Sequence, residues 1–278
     1  MGVEAGSGSV TNAGGAGASK VKGGPLLAAS MPNFRDIAGP GDGPGYALHP
    51  SGTMARGQVY RSMALAAGAV DPGLLARLGV RTIVDLRTAD EAARQPDVVP
   101  DGVDYVNVDI LSGNNSAAAL SGVATFSVED AERELKKTYE QFITGEDERL
   151  AFGRAIRAVA DSRGASVVHC TEGKDRTGWI SAVLQLLAGV GEQDVMADYL
   201  LTRELSAEFD KAILEFVKAQ MPEQLDAIRV LIQVQEADIR RSLELLHSQF
   251  GDVRRYLVDG AGLESSLVED LAARLRAE

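Results

Sequence analysis

The amino-acid sequence predicts an α/β fold: a mostly parallel sheet with helices on both faces, and a helical C-terminal part. Three observations carry this. Runs rich in β-branched residues (Val59-Tyr60-Arg61, Val80 to Arg87, Ser166 to His169) alternate with helical stretches, as strands joined by crossover helices do. Val167 and Val168 are adjacent, so both faces of their strand need apolar cover. From Asp194 onward the periodicity is helical throughout.

With 278 residues, 45% hydrophobic and 24% charged, the composition is ordinary for a globular protein, and the length suits one large domain or two of roughly 150 residues. Residues 1–30 are mostly Gly, Ala and Ser. They cannot offset chain entropy by burial and read as a flexible tail ahead of a domain spanning 31–278.

The folded part begins at Met31 to Ile37, and the Gly/Pro-rich run Gly39 to Gly45 is a loop. Val59 to Ser62 is a short strand. Asp71-Pro72 opens a short helix that Gly79 closes. Val80 to Arg87 is a strand, after which Thr88 caps a helix with Glu91 completing a capping box. Tyr105 to Ile110 alternates as a strand, and residues 112–127 are small and polar, a loop. Helices follow at about 129–143 and 147–161, the second with Leu150, Ile156 and Val159 on its apolar face. The strand Ser166–His169 leads to the apolar helix Trp179 to Val190. Beyond Asp194, Val195, Tyr199 and Leu200 begin one helix, and Ser206 to Met221 is amphipathic and broken by Pro222. Leu225 to Val234 and Leu243 to Phe250 are helical. Val253 to Leu275 reads as a final helix-turn-helix.

A formal net charge of −12 argues against nucleic-acid binding, which needs a basic footprint. One cysteine excludes an internal disulfide and suits a reducing compartment, the cytoplasm in the simplest reading. No run approaches the ~18 apolar residues of a membrane helix, so stable membrane insertion is not expected. No basic and apolar leader is visible either, which leaves secretion only by a route without a recognisable signal peptide.

The chemistry concentrates in His169-Cys170-Thr171-Glu172-Gly173-Lys174-Asp175-Arg176-Thr177-Gly178. Cys170 stands where a buried strand ends and a helix begins. Unpaired N–H groups and the positive helix end there favour a thiolate and an anion. Arg176 closes the ring with a fork suited to two phosphate oxygens. Glu172 and Asp175 formally cancel Lys174 and Arg176, so the favourable field must come mainly from the backbone. The loop residues Thr171, Glu172, Gly173, Lys174, Thr177 and Gly178 form the candidate phosphate cradle. A nucleotide-binding loop is excluded, because Val168 stands where its first Gly belongs and Asp175 follows the Lys. The implied reaction is displacement at phosphorus by the Cys170 thiolate, then hydrolysis of a cysteinyl-phosphate, with Arg176 and the amides stabilising charge. It needs no metal and no cofactor.

At these residues the sequence resembles the atypical bacterial tyrosine phosphatases. Further matches are Asn33-Phe34-Arg35-Asp36, Tyr60-Arg61-Ser62, Asp85-Leu86-Arg87, Ala197-Asp198-Tyr199-Leu200 and the segment around Tyr256-Leu257, in order along residues 31–278. The resemblance implies a cysteine-phosphatase-type sheet and activity on phosphotyrosine, sometimes on phosphoserine, phosphothreonine and phosphoinositides. It also implies a two-helix lid, whose place residues 206–238 occupy. The expected partner is thus a phosphorylated protein or a phosphoinositide. The sole tryptophan, Trp179, follows the signature, so a Trp-Pro-Asp acid loop is absent and the resemblance points to Asp175 as general acid. A structural acceptor role for Asp175 is the competing reading.

Four other residues keep two readings each. Lys174 supplies pocket charge, favouring inositol lipids, or is solvated. Thr177 bonds the thiolate or water, or caps the helix. His169 bonds the loop backbone or moves protons. Asp85 touches substrate or loop, or pairs with Arg35 or Arg61. Two alternatives to a broad protein tyrosine phosphatase follow: a phosphoinositide phosphatase, and a phospho-ligand binding protein with vestigial activity.

Overall fold

The structure, a computed structural model, describes residues 31–68, 70–111 and 125–277. The expected tail and most of the expected 112–127 loop lie outside these residues. Among the described residues five strands form one sheet: β1 (Arg35–Asp36), β2 (Val59–Ser62), β3 (Val80–Asp85), β4 (Asp104–Asn107) and β5 (Ala165–His169), in the order β1-β2-β5-β3-β4. Only β1 runs antiparallel. The strand expected over Tyr105–Ile110 covers only Asp104–Asn107.

The two faces of the sheet separate by side-chain alternation. Val84 and Val168 join the large core, whereas Ile83 and Val167 join a smaller one with Phe34, Tyr60, Leu74 and Leu75. Helix α1 (Pro72–Arg77) covers the smaller core. Its N-cap is Asp71, which accepts from Leu74 N–H, and Pro72 sits in the first turn, where no N–H is required. Helix α2 (Ala89–Arg94) has the predicted Thr88/Glu91 capping box. The large core takes α3 (Val128–Thr144), α4 (Glu146–Asp161) and α5 (Asp175–Ala188). Leu150, expected on the apolar face of α4, is instead 38% exposed, and Ala151, Phe152, Ala155, Ile156 and Val159 form the buried face. The signature helix α5 starts at Asp175, four residues before the apolar run.

The C-terminal part is helical: α6 (Glu192–Leu205), α7 (Ala207–Gln220), a 3-10 turn Pro222–Gln224, α8 (Leu225–Ile232) and α9 (Glu236–Phe250). A turn at Val253–Arg255 runs into a π-helical turn Tyr256–Gly260, and α10 (Ser265–Arg274) ends the fold. Tyr256 anchors this segment: its hydroxyl accepts from Trp179 Nε1 at 3.2 Å and donates to Phe142 O.

Register fixes the functional end of the sheet. Ser62, His169 and Asp85 are lateral partners at the carboxyl ends of three adjacent parallel strands, where ligands bind in such sheets. A buried ion cluster holds the β1–β2 side of this end. Asp198 of α6 accepts from Arg35 Nε at 3.1 Å and stands 3.4 Å from Arg61 Nη1. Burial opposes the Asp198 charge, but the two guanidinium groups hold its carboxyl below the usual range. Arg61, fully buried beside Arg35, is pushed down to about 10. Replacing Asp198 by Ala strands two buried cations, so Asp198→Ala should cost about 3–5 kcal/mol in urea unfolding. A loss under about 1 kcal/mol would show that water screens the cluster.

Candidate active site

Cys170, 3% exposed, follows the last residue of β5, and α5 begins five residues later at Asp175. The loop between them is shaped from outside. Gly173 has φ +67°, and a Cβ there would stand 2.3 Å from Ser62 O, so neither the conformation nor the space admits a side chain. Its carbonyl accepts from Asn33 Nδ2 at 2.7 Å and Arg61 Nη2 at 2.8 Å. Thr171 O accepts from Ala64 N–H, and Lys174 O from Gly178 N–H. The carbonyls thus tie the loop to the fold. Among the described residues, no acceptor takes the N–H groups of Glu172, Gly173 or Lys174, which leaves them for an anion held by the loop.

Arg176 lies in the first turn of α5. Its Nη1 donates to Glu91 Oε2 at 2.7 Å and to Leu86 O at 3.3 Å; its Nη2 donates to Glu91 Oε1 at 2.9 Å and to Thr171 Oγ1 at 3.3 Å. These contacts match the four Nη hydrogens, leaving Nε–H as the donor they do not engage. Glu91 also accepts from Thr171 Oγ1 and Thr88 N–H. Although burial opposes its charge, Arg176 brings the Glu91 carboxyl down to about 2. The predicted fork on two phosphate oxygens is therefore a fork on Glu91 here. A phosphate in the loop would have to reach Arg176 through Nε or displace an Nη contact.

Asp175 is held at both oxygens. Tyr139 of α3 donates to Oδ1 at 2.7 Å, and Lys174 Nζ stands 3.1 Å from Oδ2. Lys174 is 4% exposed, so it is not a solvated lysine. Its ammonium lies 3.7 Å from Glu172 Oε2 and donates to the carbonyl of Leu231 at the end of α8. Burial works against its charge, but Asp175 and Glu172 outweigh it and hold the pKa above the usual value. Further carboxyls gather round: burial raises Glu172 and Asp210, and burial with the Asp175 charge pushes Asp238 up to about 6.

Thr177 is the third residue of α5, not its cap, and its buried Oγ1 has no protein partner among the described residues. His169 Nδ1 lies 3.1 Å from Cys170 O, and its Nε2 lies 3.1 Å from Asp97 Oδ2. Asp85 meets neither Arg35 nor Arg61. Its neighbour Arg87 takes it in a two-pronged bridge, Nε to Oδ1 at 2.9 Å and Nη2 to Oδ2 at 2.8 Å, and Tyr105 donates to it at 2.6 Å. The reason is register: Asp85 ends β3, on the β4 side of β5, while Arg35 and Arg61 lie beyond β5 and meet Asp198. Asp85, Asp97 and His169 come close enough for a metal, but Arg87 already bridges both carboxylates.

Sequence reasoning missed Glu91, Tyr139, Asp97 and Asp198 as parts of this region. Glu91 was legible only as a capping residue, yet the Oε2 that accepts from Thr88 N–H also accepts from Arg176, and Oε1 takes Arg176 and Thr171. Tyr139 sits mid-helix, where apolar spacing reads it as core.

A thiol loop closed by arginine, at the carboxyl end of the central strand of such a sheet, is the framework of the cysteine-type phosphatases. Sequence comparison leads to the same place: residues 26–277 match the Tyrosine phosphatase family, and the chain belongs to it as a protein tyrosine phosphatase. It is 29% identical over 217 residues to the triple specificity protein phosphatase PtpB of Mycobacterium tuberculosis, covering 69% of this chain and 74% of PtpB. It is 30% identical over 191 residues to a tyrosine-protein phosphatase of Nostoc commune, covering 63% of this chain and 61% of that one. The solved structure of P. aeruginosa TpbA covers 74% of this chain and is itself covered to 88%, at 17% identity and a TM-score of 0.34. Among the described residues no helix is long and apolar enough to cross a membrane.

Glu91→Gln should destabilise the fold at pH 7 by about 1–2 kcal/mol, a charge-assisted pair discounted for the 26% exposure of Glu91. A depressed carboxyl contributes stability above its unfolded pKa and loses it as pH falls through the folded one. The gap between variant and wild type should therefore be full above pH 4.5 and close toward about 2. Urea unfolding at a series of pH values checks this, and a constant gap would show that the Glu91 charge is not responsible.

Proposed function

We propose that this tyrosine phosphatase hydrolyses phosphate monoesters of proteins with broad specificity, through a cysteinyl-phosphate on Cys170. The observation that carries the reading is the set of unengaged loop N–H groups around a thiol, closed by an arginine that Glu91 presents. The Cys170 thiolate attacks phosphorus and a P–S bond forms while the ester P–O bond breaks. Asp175 gives its proton to the leaving oxygen. Water then attacks phosphorus, Asp175 takes the water's proton, the P–S bond breaks, and inorganic phosphate leaves with the thiolate restored. Arg176 and the loop amides stabilise the charge on the transferring oxygens. Thr171, Glu172, Gly173, Lys174, Thr177 and Gly178 form the cradle, and His169 and Asp85 support it from below.

Phosphoprotein is preferred over inositol lipid as the main substrate. The lipid reading rested on Lys174 as free charge, and its ammonium is engaged by Asp175, Glu172 and Leu231. In the same reading, α7 and α8 form the lid within residues 206–238, tied to the loop by the Lys174–Leu231 contact. On these helices Phe216 and Met221 are 62% and 39% exposed. The shielding role therefore falls to the buried Val217, Ala227 and Ile232.

Cys170→Ser should lower metal-independent hydrolysis of p-nitrophenyl phosphate at least about a thousandfold, the scale of losing a nucleophile. Hydrolysis retained in this variant would overturn the scheme, and a wild type that binds phosphopeptide without turnover would leave a binding protein. Ile232→Ala, which removes buried apolar volume from α8, should speed peroxide inactivation of Cys170 several-fold, about the scale of shifting a lid population by 1 kcal/mol. Equal rates in a folded variant would remove the lid.

A further inference from the structure

Two buried phenols back Asp175, and none of the steps above uses them. Tyr139, on α3, is fully buried and donates to Asp175 Oδ1 at 2.7 Å. Tyr199, on α6, is 1% exposed, and its hydroxyl lies 2.5 Å from that of Tyr139, with the rings edge to face at 6.4 Å. Each phenol has one proton. Tyr139 gives its own to Asp175, so Tyr199 must give its own to Tyr139, and the chain has one direction: Tyr199 to Tyr139 to Asp175. The signature leaves room for it. A Cβ on Gly178 would stand 3.0 Å from the Tyr199 ring, so a side chain there would press on the inner phenol.

The surroundings of Asp175 make the two oxygens unequal. Lys174, Glu172 and Arg176 face it from the loop and α5, Tyr139 from α3, Tyr199 from α6 and Asp238 from α9, while Asp210 of α7 faces Lys174. Burial and the Asp175 charge push both phenols far above their ordinary value, so they stay protonated donors in the working range. Oδ1 takes the Tyr139 hydroxyl at 2.7 Å and a long contact from Lys174 Nζ at 3.5 Å. Oδ2 faces a lysine that has other partners in Glu172 and the Leu231 carbonyl.

We propose that Tyr139, held by Tyr199, is a positioning residue of the phosphatase reaction: it pins Oδ1 of Asp175, so that the transferable proton resides on Oδ2. This rests on the reading of Asp175 as the general acid. In the transfer the Oδ2–H bond breaks and the proton passes to the leaving oxygen. The electron pair stays on the carboxylate, and Tyr139 keeps donating to Oδ1. A donor retained on the forming carboxylate favours its charged form and makes the carboxyl a better proton donor. Lys174 releases Oδ2 when the proton is loaded and returns when it leaves.

The test measures pH–rate profiles with p-nitrophenyl phosphate, whose leaving group needs little protonation, and phenyl phosphate, whose leaving group needs it. Wild type is compared with Tyr139→Phe, Tyr199→Phe, Asp175→Asn and the Tyr139→Phe/Asp175→Asn double variant. Tyr139→Phe should lower kcat for phenyl phosphate about tenfold and for p-nitrophenyl phosphate by less than about twofold, a selective loss on the scale of weakened acid catalysis. Its alkaline limb should move to higher pH, because the carboxylate has lost a donor. Tyr199→Phe should act in the same direction more weakly, and it carries the test alone if Tyr139→Phe does not fold. In the Asp175→Asn background Tyr139→Phe should add nothing. An Asp175→Asn enzyme that slows both esters equally and keeps its alkaline limb would refute the acid assignment itself. An Asp175→Asn enzyme that selects between the esters, with a Tyr139→Phe that slows both alike or adds its full effect in the double variant, would overturn the positioning role alone.

Discussion

The geometry of the active-site loop depends on one carbonyl. Gly173 O takes two donors, Asn33 Nδ2 and Arg61 Nη2, from segments more than a hundred residues earlier in the chain. With that oxygen drawn outward, Gly173 keeps its left-handed conformation against Ser62. Arg61 can serve there only because Asp198 balances it and Arg35 together. The N-terminal segment and the second strand thus meet at a single oxygen, with Asp198 of α6 balancing Arg61 behind it, an arrangement of the preorganised kind that oxyanion stabilisation uses.

The second constraint is charge. This end of the sheet buries Arg61, Arg87, Arg176 and Lys174, each against at least one carboxylate. Removing one partner from such a group is costly, and intact pairs add little stability over apolar packing. The arrangement is therefore better understood as specification: Glu91 sets where Arg176 points, and Arg87 ties Asp85 and Asp97 beneath His169. In the proposed reaction an anionic substrate would enter a region whose fixed charges are already balanced, and would meet mainly backbone dipoles and Arg176.

Much of this was legible in the sequence because local chemistry carried it. The adjacent valines before Cys170, the loop spacing to Arg176 and the Thr88/Glu91 capping box each depend on neighbours within a few residues. What was not legible depends on lateral placement in the sheet. Asp85 was expected near Arg35 or Arg61, but strand order puts β5 between them, and Arg87 two residues on was the nearer partner. Tyr139 and Leu150 have the spacing of core residues, and only tertiary packing makes one a hydrogen-bond donor to Asp175 and leaves the other exposed. Lys174 looked like free charge because Leu231 lies 57 residues away.

The Lys174–Leu231 contact joins the loop and α8 into one thermodynamic unit. Its ammonium faces the carboxyl oxygen of Asp175 on one side and the end of α8 on the other. Whatever draws Lys174 toward one must weaken its hold on the other, and coupling of this kind is reciprocal. If Asp175 is the acid proposed above, its proton and the position of α8 form a single equilibrium: loading the acid would release the lysine to α8, and lifting α8 would return the lysine to the carboxylate. In the proposed scheme the acid would be most fully armed when α8 is most firmly closed over the loop.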